Sequence, residues 1–395
     1  MSAGRDKGSE TAMRRVPFIK YSSCGNNFII VDETAGPALQ EREKPCFARQ
    51  ATNLFFGVGA DGCIFLQAST LAVFGRINDT FQYWRQAPNP AAVDYIFRLF
   101  EPDGSESLSC GNGLLCVAHY IRHRYGAASS RVMTEIPSRC PRSVSIGTHS
   151  RMEMSWTNMG MPRPISRDLV HPDATRPFDD VLAMITSIDI HFRKSDDVKA
   201  HYSQSSISLR GYLIFTGEPH LVLFCEEGIG GNPSAETLFP LPPGPLPEDK
   251  DGAERRVRTG SWLVDYIGQY IERSYAHYFP KGINIDFARL VNPSGILEYR
   301  CYERGISRET LACGTGALAI AYVARRLGLL TGSEIAVWPH RCRWYKPNAA
   351  LWVRETSEGW FLQGHPIRTC DGDFIFEKPD AARSFIGHVN VQDLT

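Results

Sequence analysis

Two short segments about 200 residues apart carry the residues best placed for chemistry: Glu106-Ser-Leu-Ser-Cys110-Gly-Asn-Gly113-Leu-Leu115 and Glu309-Thr-Leu-Ala-Cys313-Gly-Thr-Gly316-Ala-Leu318. Each sets a cysteine before Gly-x-Gly and an apolar run of helical character. That layout predicts a thiol at the N-terminus of a helix, where unpaired backbone N–H groups and the positive end of the dipole favour a thiolate and can hold an anion. Two such thiols imply a pair of opposed bases. If the two segments face each other, a small carboxylate sits between the helix ends with one sulfur on each side of its α-carbon. The chemistry open to that arrangement is stereoinversion.

The surrounding pattern must supply the scaffold. Phe18 to Tyr21 and Phe28 to Val31 are β-rich runs around the polar turn Ser22-Ser-Cys-Gly-Asn26-Asn. Lys44 to Phe56 has helical spacing and ends at Gly57-Val-Gly59, before a strand at Cys63 to Leu66. Tyr95 to Phe100 is a strand leading into the first cysteine, and Leu114 to Arg124 is the helix after it. Strands are expected near Val144 to Ile146, Met152 to Trp156, Leu213 to Phe215 and Leu221 to Phe224. The second half repeats these kinds of element: strands at Ile283 to Phe287 and Leu297 to Tyr302, a loop delivering Cys313, and a buried helix from Ala317 to Leu327. Strands at Glu334 to Val337 and Ala350 to Val353 follow. Many strands with few helices indicate an α+β fold. Two similar domains, each with a central helix, are the simplest arrangement, with residues 16–160 in one and 161–363 in the other and a return strand near 364–377 rejoining the first.

Composition sets limits. The chain has 395 residues, 43% of them hydrophobic, with Lys+Arg and Asp+Glu both at 43. That is room for two domains, and the neutral balance argues against nucleic acid or an anionic membrane as the main partner. A small molecule is the expected target, with a homodimer possible. Eleven cysteines without Cys-x-x-Cys or Cys/His clusters indicate neither a disulfide framework nor a metal site, and a cytoplasmic location is expected. Residues 1–15 read as a disordered tail, not a secretory leader, 378–395 as a C-terminal extension, and no segment has the length and apolarity of a membrane span.

The ordered motifs Cys24-Gly-Asn-Asn-Phe28, Gly57-Val-Gly-Ala-Asp61, Phe100-Glu-Pro-Asp-Gly-Ser-Glu106, Cys110-Gly-Asn-Gly113, Gly217-Glu-Pro-His220, Ile283-Asn-Ile285, Tyr302-Glu-Arg-Gly305 and Ala312-Cys-Gly-Thr-Gly316 resemble those of diaminopimelate epimerases, from about Phe18 to Phe376. The resemblance implies two pseudo-symmetric domains, each a barrel-like, mostly antiparallel sheet around a helix. It also implies an amino-acid racemase or epimerase that uses no cofactor, pyridoxal phosphate included. One of Cys110 and Cys313 would remove the α-proton as thiolate and the other would reprotonate the opposite face as thiol. Gly111, Asn112, Gly314 and Thr315 at the helix ends would hold the substrate carboxylate, and Asn26 and Glu303 would lie near the α-amino group. In family members acting on diaminopimelate, three asparagines and an arginine grip its distal end. One asparagine and the arginine persist as Asn284 and Arg304, whereas Glu101 and Glu218 replace the other two.

Two carboxylates there would repel a distal carboxylate, by roughly 4 kcal/mol for unit charges at about 4 Å and an effective dielectric near 20. One could pair with Arg304, leaving the other to meet a cation. The expected substrate is therefore an amino acid with a cationic side chain, such as histidine, arginine, ornithine or lysine, with diaminopimelate itself the alternative. A binding protein that kept the fold, or a redox sensor built on two facing thiols, are readings of other classes. The remaining cysteines are expected to pack as small hydrophobes, and His220 to satisfy backbone groups. The chain is also longer than the family norm, with the surplus near 69–94, 166–206 and 230–256. The aromatic stretch Phe74 to Pro90 has the content to cover the cleft or a second subunit.

Overall fold

The structure is a computed structural model that describes residues 13–149, 154–192, 205–225, 232–240 and 250–377. The extension expected at 378–395 lies outside the described residues, as do residues 1–12 of the expected tail. Arg14 and Arg15, assigned to that tail, instead begin the first strand.

In the first half the order is β1 (Arg14–Ser23), β2 (Asn26–Glu33), α1 (Lys44–Thr52), β3 (Gly62–Ala68), α2 (Leu71–Phe81) and β4 (Tyr95–Phe100). Then come β5 (Glu106–Ser107), α3 (Gly111–Tyr125), β6 (Ser129–Thr134), β7 (Arg142–His149) and β8 (Met154–Gly160). The second half opens with β9 (Arg176–Pro177), β10 (Ala183–His191), β11 (Ser206–Phe215), β12 (Pro219–Phe224) and α4 (Lys250–Ser274). It continues with β13 (Asn284–Asn292), β14 (Ile296–Glu303), β15 (Arg308–Thr310), α5 (Gly314–Arg326) and β16 (Glu334–Pro339). β17 (Leu351–Thr356), β18 (Gly359–Gly364) and β19 (Ile367–Phe376) complete it.

The pairing is the same in both halves. β2–β3 and β4–β6 are parallel, as are β12–β13 and β14–β16, with antiparallel ladders between and beyond them. The halves join through the antiparallel pair β8–β18. Taken as sequence repeats, β1 to β10 and β11 to β19, each ends in a strand that pairs with the start of the other: β10 with β11, and β19 with β1. The repeat extends to buried ion pairs. Arg98 Nε meets Glu106 Oε1 at 2.8 Å, and Arg300 Nε meets Glu309 Oε1 at 2.6 Å, each tying the strand before a cysteine to the short strand leading to it.

The two central helices are apolar nearly all round, which requires burial on every side. α3 is buried from Gly111 to Ile121 and α5 from Gly314 to Ala324, within one core continuous across both halves. A second core lies on the outer face of β10 to β13, under α4. Leu263, Val264, Ile267 and Ile271 of α4 form its apolar stripe. Gly268 lets the helix lie directly on β14, because a Cβ there would fall 2.2 Å from the Tyr302 ring. α1 is shorter than expected and stops at Thr52. The residues that follow, Leu54, Phe55 and Phe56, are exposed. The stretch expected to cover the cleft or a second subunit packs on its own half: Phe74, Ile77 and Trp84 form a satellite cluster with Ile96 and Met133. Among the described residues, no helix is long and apolar enough to cross a membrane.

Candidate active site

Cys110 and Cys313 are the N-cap residues of α3 and α5, with extended backbone (φ −147° and −122°). Each sulfur accepts from the backbone N–H three residues on, Gly113 N and Gly316 N, at 3.4 Å in both cases. This is the capping geometry in which a side-chain acceptor replaces a missing intrahelical partner. The helices meet end to end. A Cβ on Gly111 would lie 3.4 Å from Gly314 Cα, and one on Gly314 would lie 3.1 Å from Asn112 N, while both would press on Leu362 Cδ2, at 2.6 and 2.8 Å. Asn112 Nδ2 donates to Asn26 Oδ1 at 2.5 Å and, across the junction, to Ala312 O at 3.3 Å.

Both thiols open on a cleft of about 930 Å³ that also contains Asn26, Glu101, Gly111, Asn112, Glu218, Asn284, Glu303, Arg304, Gly314 and Thr315. All the residues singled out in the sequence thus border one cavity, although they come from both halves.

Three carboxyl groups give the cleft its character. Glu101 accepts from the Ser107 hydroxyl and Glu303 from the Thr310 hydroxyl. Burial, opposed by the Ser107 hydrogen bond and reinforced by neighbouring acids, pushes Glu101 up to about 7. Burial, opposed by Thr310 and reinforced by Glu101, Asp61 and Asp286, pushes Glu303 up to about 8. Glu218 differs, for it is paired with Arg304, whose Nε lies 3.0 Å from Glu218 Oε2. Burial still raises the Glu218 carboxyl despite that cation. Arg304 also donates from Nη1 to Lys281 O and from its backbone N to Asn284 Oδ1, both at 2.9 Å, which fixes its guanidinium on Glu218. Among the described residues Glu101 has no ion-pair partner of its own.

The surroundings of the two cysteines are unequal. Thr315 Oγ1 lies 3.3 Å from Cys313 Sγ and 2.9 Å from His220 Nε2, and His220 Nδ1 lies 2.6 Å from Asp286 Oδ2. His220 is fully buried and engages side chains, not the backbone groups expected for it. Its partner follows from the register: His220 lies opposite Asn284 in the parallel β12–β13 pair, and Asp286 is two residues on, on the same face. Cys301, expected to be inert, has its sulfur within 4.8 Å of the Cys313 sulfur and a Glu303 oxygen. Cys301, Glu303 and Cys313 are donors of the kind that could hold a soft metal.

The Cys301 contact lowers the Cys313 pKa and burial raises it, with Glu303 and Asp286 adding to the rise and Thr315 opposing it; the balance stays above the ordinary thiol value. Cys110 is raised well above that value by burial, relieved only by the Gly113 N–H and reinforced by Glu303 and Glu101. At the corresponding positions of the first half stand Phe28 for His220, Ile64 for Asp286, Leu99 for Cys301 and Asn112 for Thr315. Sequence reading missed Asp286 and Cys301. The usable clue was a longer repeat, Arg98-Leu-Phe-Glu101 against Arg300-Cys-Tyr-Glu303, whose alignment sets the two halves in register.

Solved structures share the fold. A hydroxyproline epimerase from Agrobacterium vitis with bound trans-4-hydroxy-L-proline superposes with a TM-score of 0.51 at 13% identity, covering 93% of this chain and 94% of that one. A PhzF-family phenazine biosynthesis protein from Bacillus anthracis gives 0.50 at 14%, covering 92% and 100%. The sequence model of the diaminopimelate epimerase family matches residues 18–139. The diaminopimelate epimerase of Archaeoglobus fulgidus is 27% identical over 361 residues, 91% of this chain and 96% of that protein. That of Methanothrix thermoacetophila is 29% identical over 366 residues, again 91% and 96%. The fold, the cleft and these relatives define an isomerase of the racemase and epimerase class. Within it, the chain is similar to diaminopimelate epimerases, over residues 18–139 by the family model and over 91% of its length by these two relatives.

Proposed function

We propose that the chain inverts the α-carbon of an amino acid with a cationic side chain, using Cys110 and Cys313 as the two proton-transferring groups. The supporting observation is the pairing of Glu218 with Arg304 while Glu101 remains without a cation. The arginine that would clamp a distal carboxylate is neutralised, and a free carboxyl stands ready for a positive charge.

The substrate carboxylate is received by the backbone N–H groups at the adjoining ends of α3 and α5, and the α-ammonium by Glu303 with Asn26 nearby. One cysteine, as thiolate, takes the α-proton and becomes a thiol. The electron pair left on the α-carbon spreads into the carboxylate, where the two helix ends stabilise it. The opposite thiol then gives its proton to the other face and becomes a thiolate, so the product has inverted and the two sulfurs have exchanged protonation states. A carbon acid beside a carboxylate is far weaker than a thiol, so stabilisation of that developing charge supplies most of the rate.

Diaminopimelate is the second reading, favoured by the names of the curated relatives. The test is α-proton exchange in D₂O with chiral analysis, under reducing conditions, across diaminopimelate and the L- and D-amino acids. Inversion of a cationic amino acid supports the proposal. Inversion of diaminopimelate alone replaces it with the second reading, and no exchange with any of them removes the racemase reading.

A further inference from the structure

The pseudo-two-fold that exchanges Cys110 and Cys313 also exchanges Glu101 and Glu303. Phe100 faces Cys63 on one neighbouring strand and Glu106 on the other, while Tyr302 faces Ile285 and Glu309. Glu101 and Glu303 are the next residues in each case, and each accepts from the hydroxyl that follows the equivalent glutamate, Ser107 or Thr310. The axis passes between Gly111 and Gly314, where the helix ends touch.

A substrate carboxylate held by both helix ends lies on that axis, and the α-carbon follows it into the cleft with a thiol on either face. At the planar carbanion, the amino nitrogen and Cβ are the two remaining arms, and the rotation that swaps the thiols swaps these arms as well. With the α-ammonium on Glu303, Glu101 stands in the corresponding place toward Cβ. Resting on the racemase reading above, we infer that the accepted side chain carries its nitrogen donor on Cβ or Cγ, as in 2,3-diaminopropionate, 2,4-diaminobutyrate or histidine, and not at the end of a long chain as in ornithine or lysine. A cation held farther from the α-carbon gains nothing from Glu218, which is already engaged by Arg304.

The experiment is a kcat/KM series with the full chain under reducing conditions, over 2,3-diaminopropionate, 2,4-diaminobutyrate, histidine, ornithine, lysine and diaminopimelate. The efficiency should fall at least tenfold between the amino acids with nitrogen on Cβ or Cγ and lysine. In Glu101→Gln the ratio of diaminopropionate to ornithine should also fall at least tenfold. Equal or better turnover of lysine or ornithine overturns the inference, as does an unchanged ratio in a folded Glu101→Gln. Exchange with diaminopimelate alone overturns it while leaving an epimerase in place. Silence across the series overturns the racemase reading beneath it.

Discussion

Asp286 lies against Gly316 where Ile64 lies against Gly113: a Cβ on Gly316 would fall 2.5 Å from Asp286 Oδ1, and one on Gly113 would fall 3.3 Å from Ile64 Cδ1. One cysteine therefore backs onto a carboxylate, an imidazole and a hydroxyl, and the other has Ile64, Phe28 and the Asn112 amide in their places. With Nδ1–H of His220 directed at Asp286, its Nε2 accepts from Thr315, which in turn accepts from a Cys313 thiol; an imidazolium reverses these donors toward a thiolate. Cys313 should ionise at lower pH than Cys110. Alkylation of the two cysteine peptides by iodoacetamide as a function of pH should show that order. Thr315→Val should move the Cys313 profile upward and slow inversion roughly ten- to hundredfold, as expected for losing a hydrogen bond to a charged group, about 1.5–3 kcal/mol. Identical profiles in wild type and variant would remove Thr315 from the mechanism.

Cys110→Ser and Cys313→Ser should each lower inversion by about 10²–10⁴-fold, the range for a positioned acid or base. Chiral chromatography of the product measures this directly. Full activity in either variant would refute the two-base scheme.

The paired thiols were legible because Cys-Gly-x-Gly before an apolar run leaves little choice but a helix N-terminus, and the strands around them show apolar runs rich in aromatic and β-branched residues, such as Tyr95–Phe100, broken only by Arg98. α4 was not legible in the same way. Its apolar stripe is broken by Gly260 and Gly268, and its glycines make sense only once Arg300 and Tyr302 of β14 are seen to press on them. Likewise, nothing local joins His220 to Asp286, 66 residues apart, because their meeting depends on the parallel register of β12 and β13. Cys301 reads as one more buried residue until β14 brings it beside Cys313.

The pH dependence of kcat/KM should report the carboxyls that receive ammonium groups. Glu101, at about 7, and Glu303, at about 8, must both ionise to pair with cations, so kcat/KM for a cationic substrate should rise with pH through that interval. Glu101→Gln should leave a single step, displaced below the wild-type upper one because the Glu101 charge no longer raises Glu303. A profile unaltered in shape would separate Glu101 from substrate binding.

The same two groups should shape stability in the opposite direction. Each binds its proton more tightly in the fold than in the unfolded chain, where the ordinary value is 4.5. Between about 4.5 and about 8 the folded state holds more protons, and the wild type loses stability as pH rises across that window. Glu303→Gln has no such proton to lose. Its Tm advantage over wild type should be absent below about pH 4.5, grow with pH and level off above about 8. A constant offset at all pH values would contradict this assignment.

Glu101→Asn combined with Glu218→Asn should release Arg304 for a distal carboxylate and remove the charge that repels it. The ratio of diaminopimelate to cationic amino acid in kcat/KM should rise at least tenfold, well inside the roughly 4 kcal/mol of a close charge pair at an effective dielectric near 20. An unchanged preference order would place both glutamates outside the specificity pocket.

The exchange of β10 and β19 between the two sequence repeats, β1 to β10 and β11 to β19, bears on how such a site can arise. A polypeptide containing one half would complete its sheet only by trading that strand with a second copy, and the cleft would then lie on a true dyad. Its two thiols would be chemically identical, and any residue that sharpened one as a base would sharpen the other. Having both repeats on one chain removes that constraint, so one side can carry Ile64 and Phe28 where the other carries Asp286 and His220.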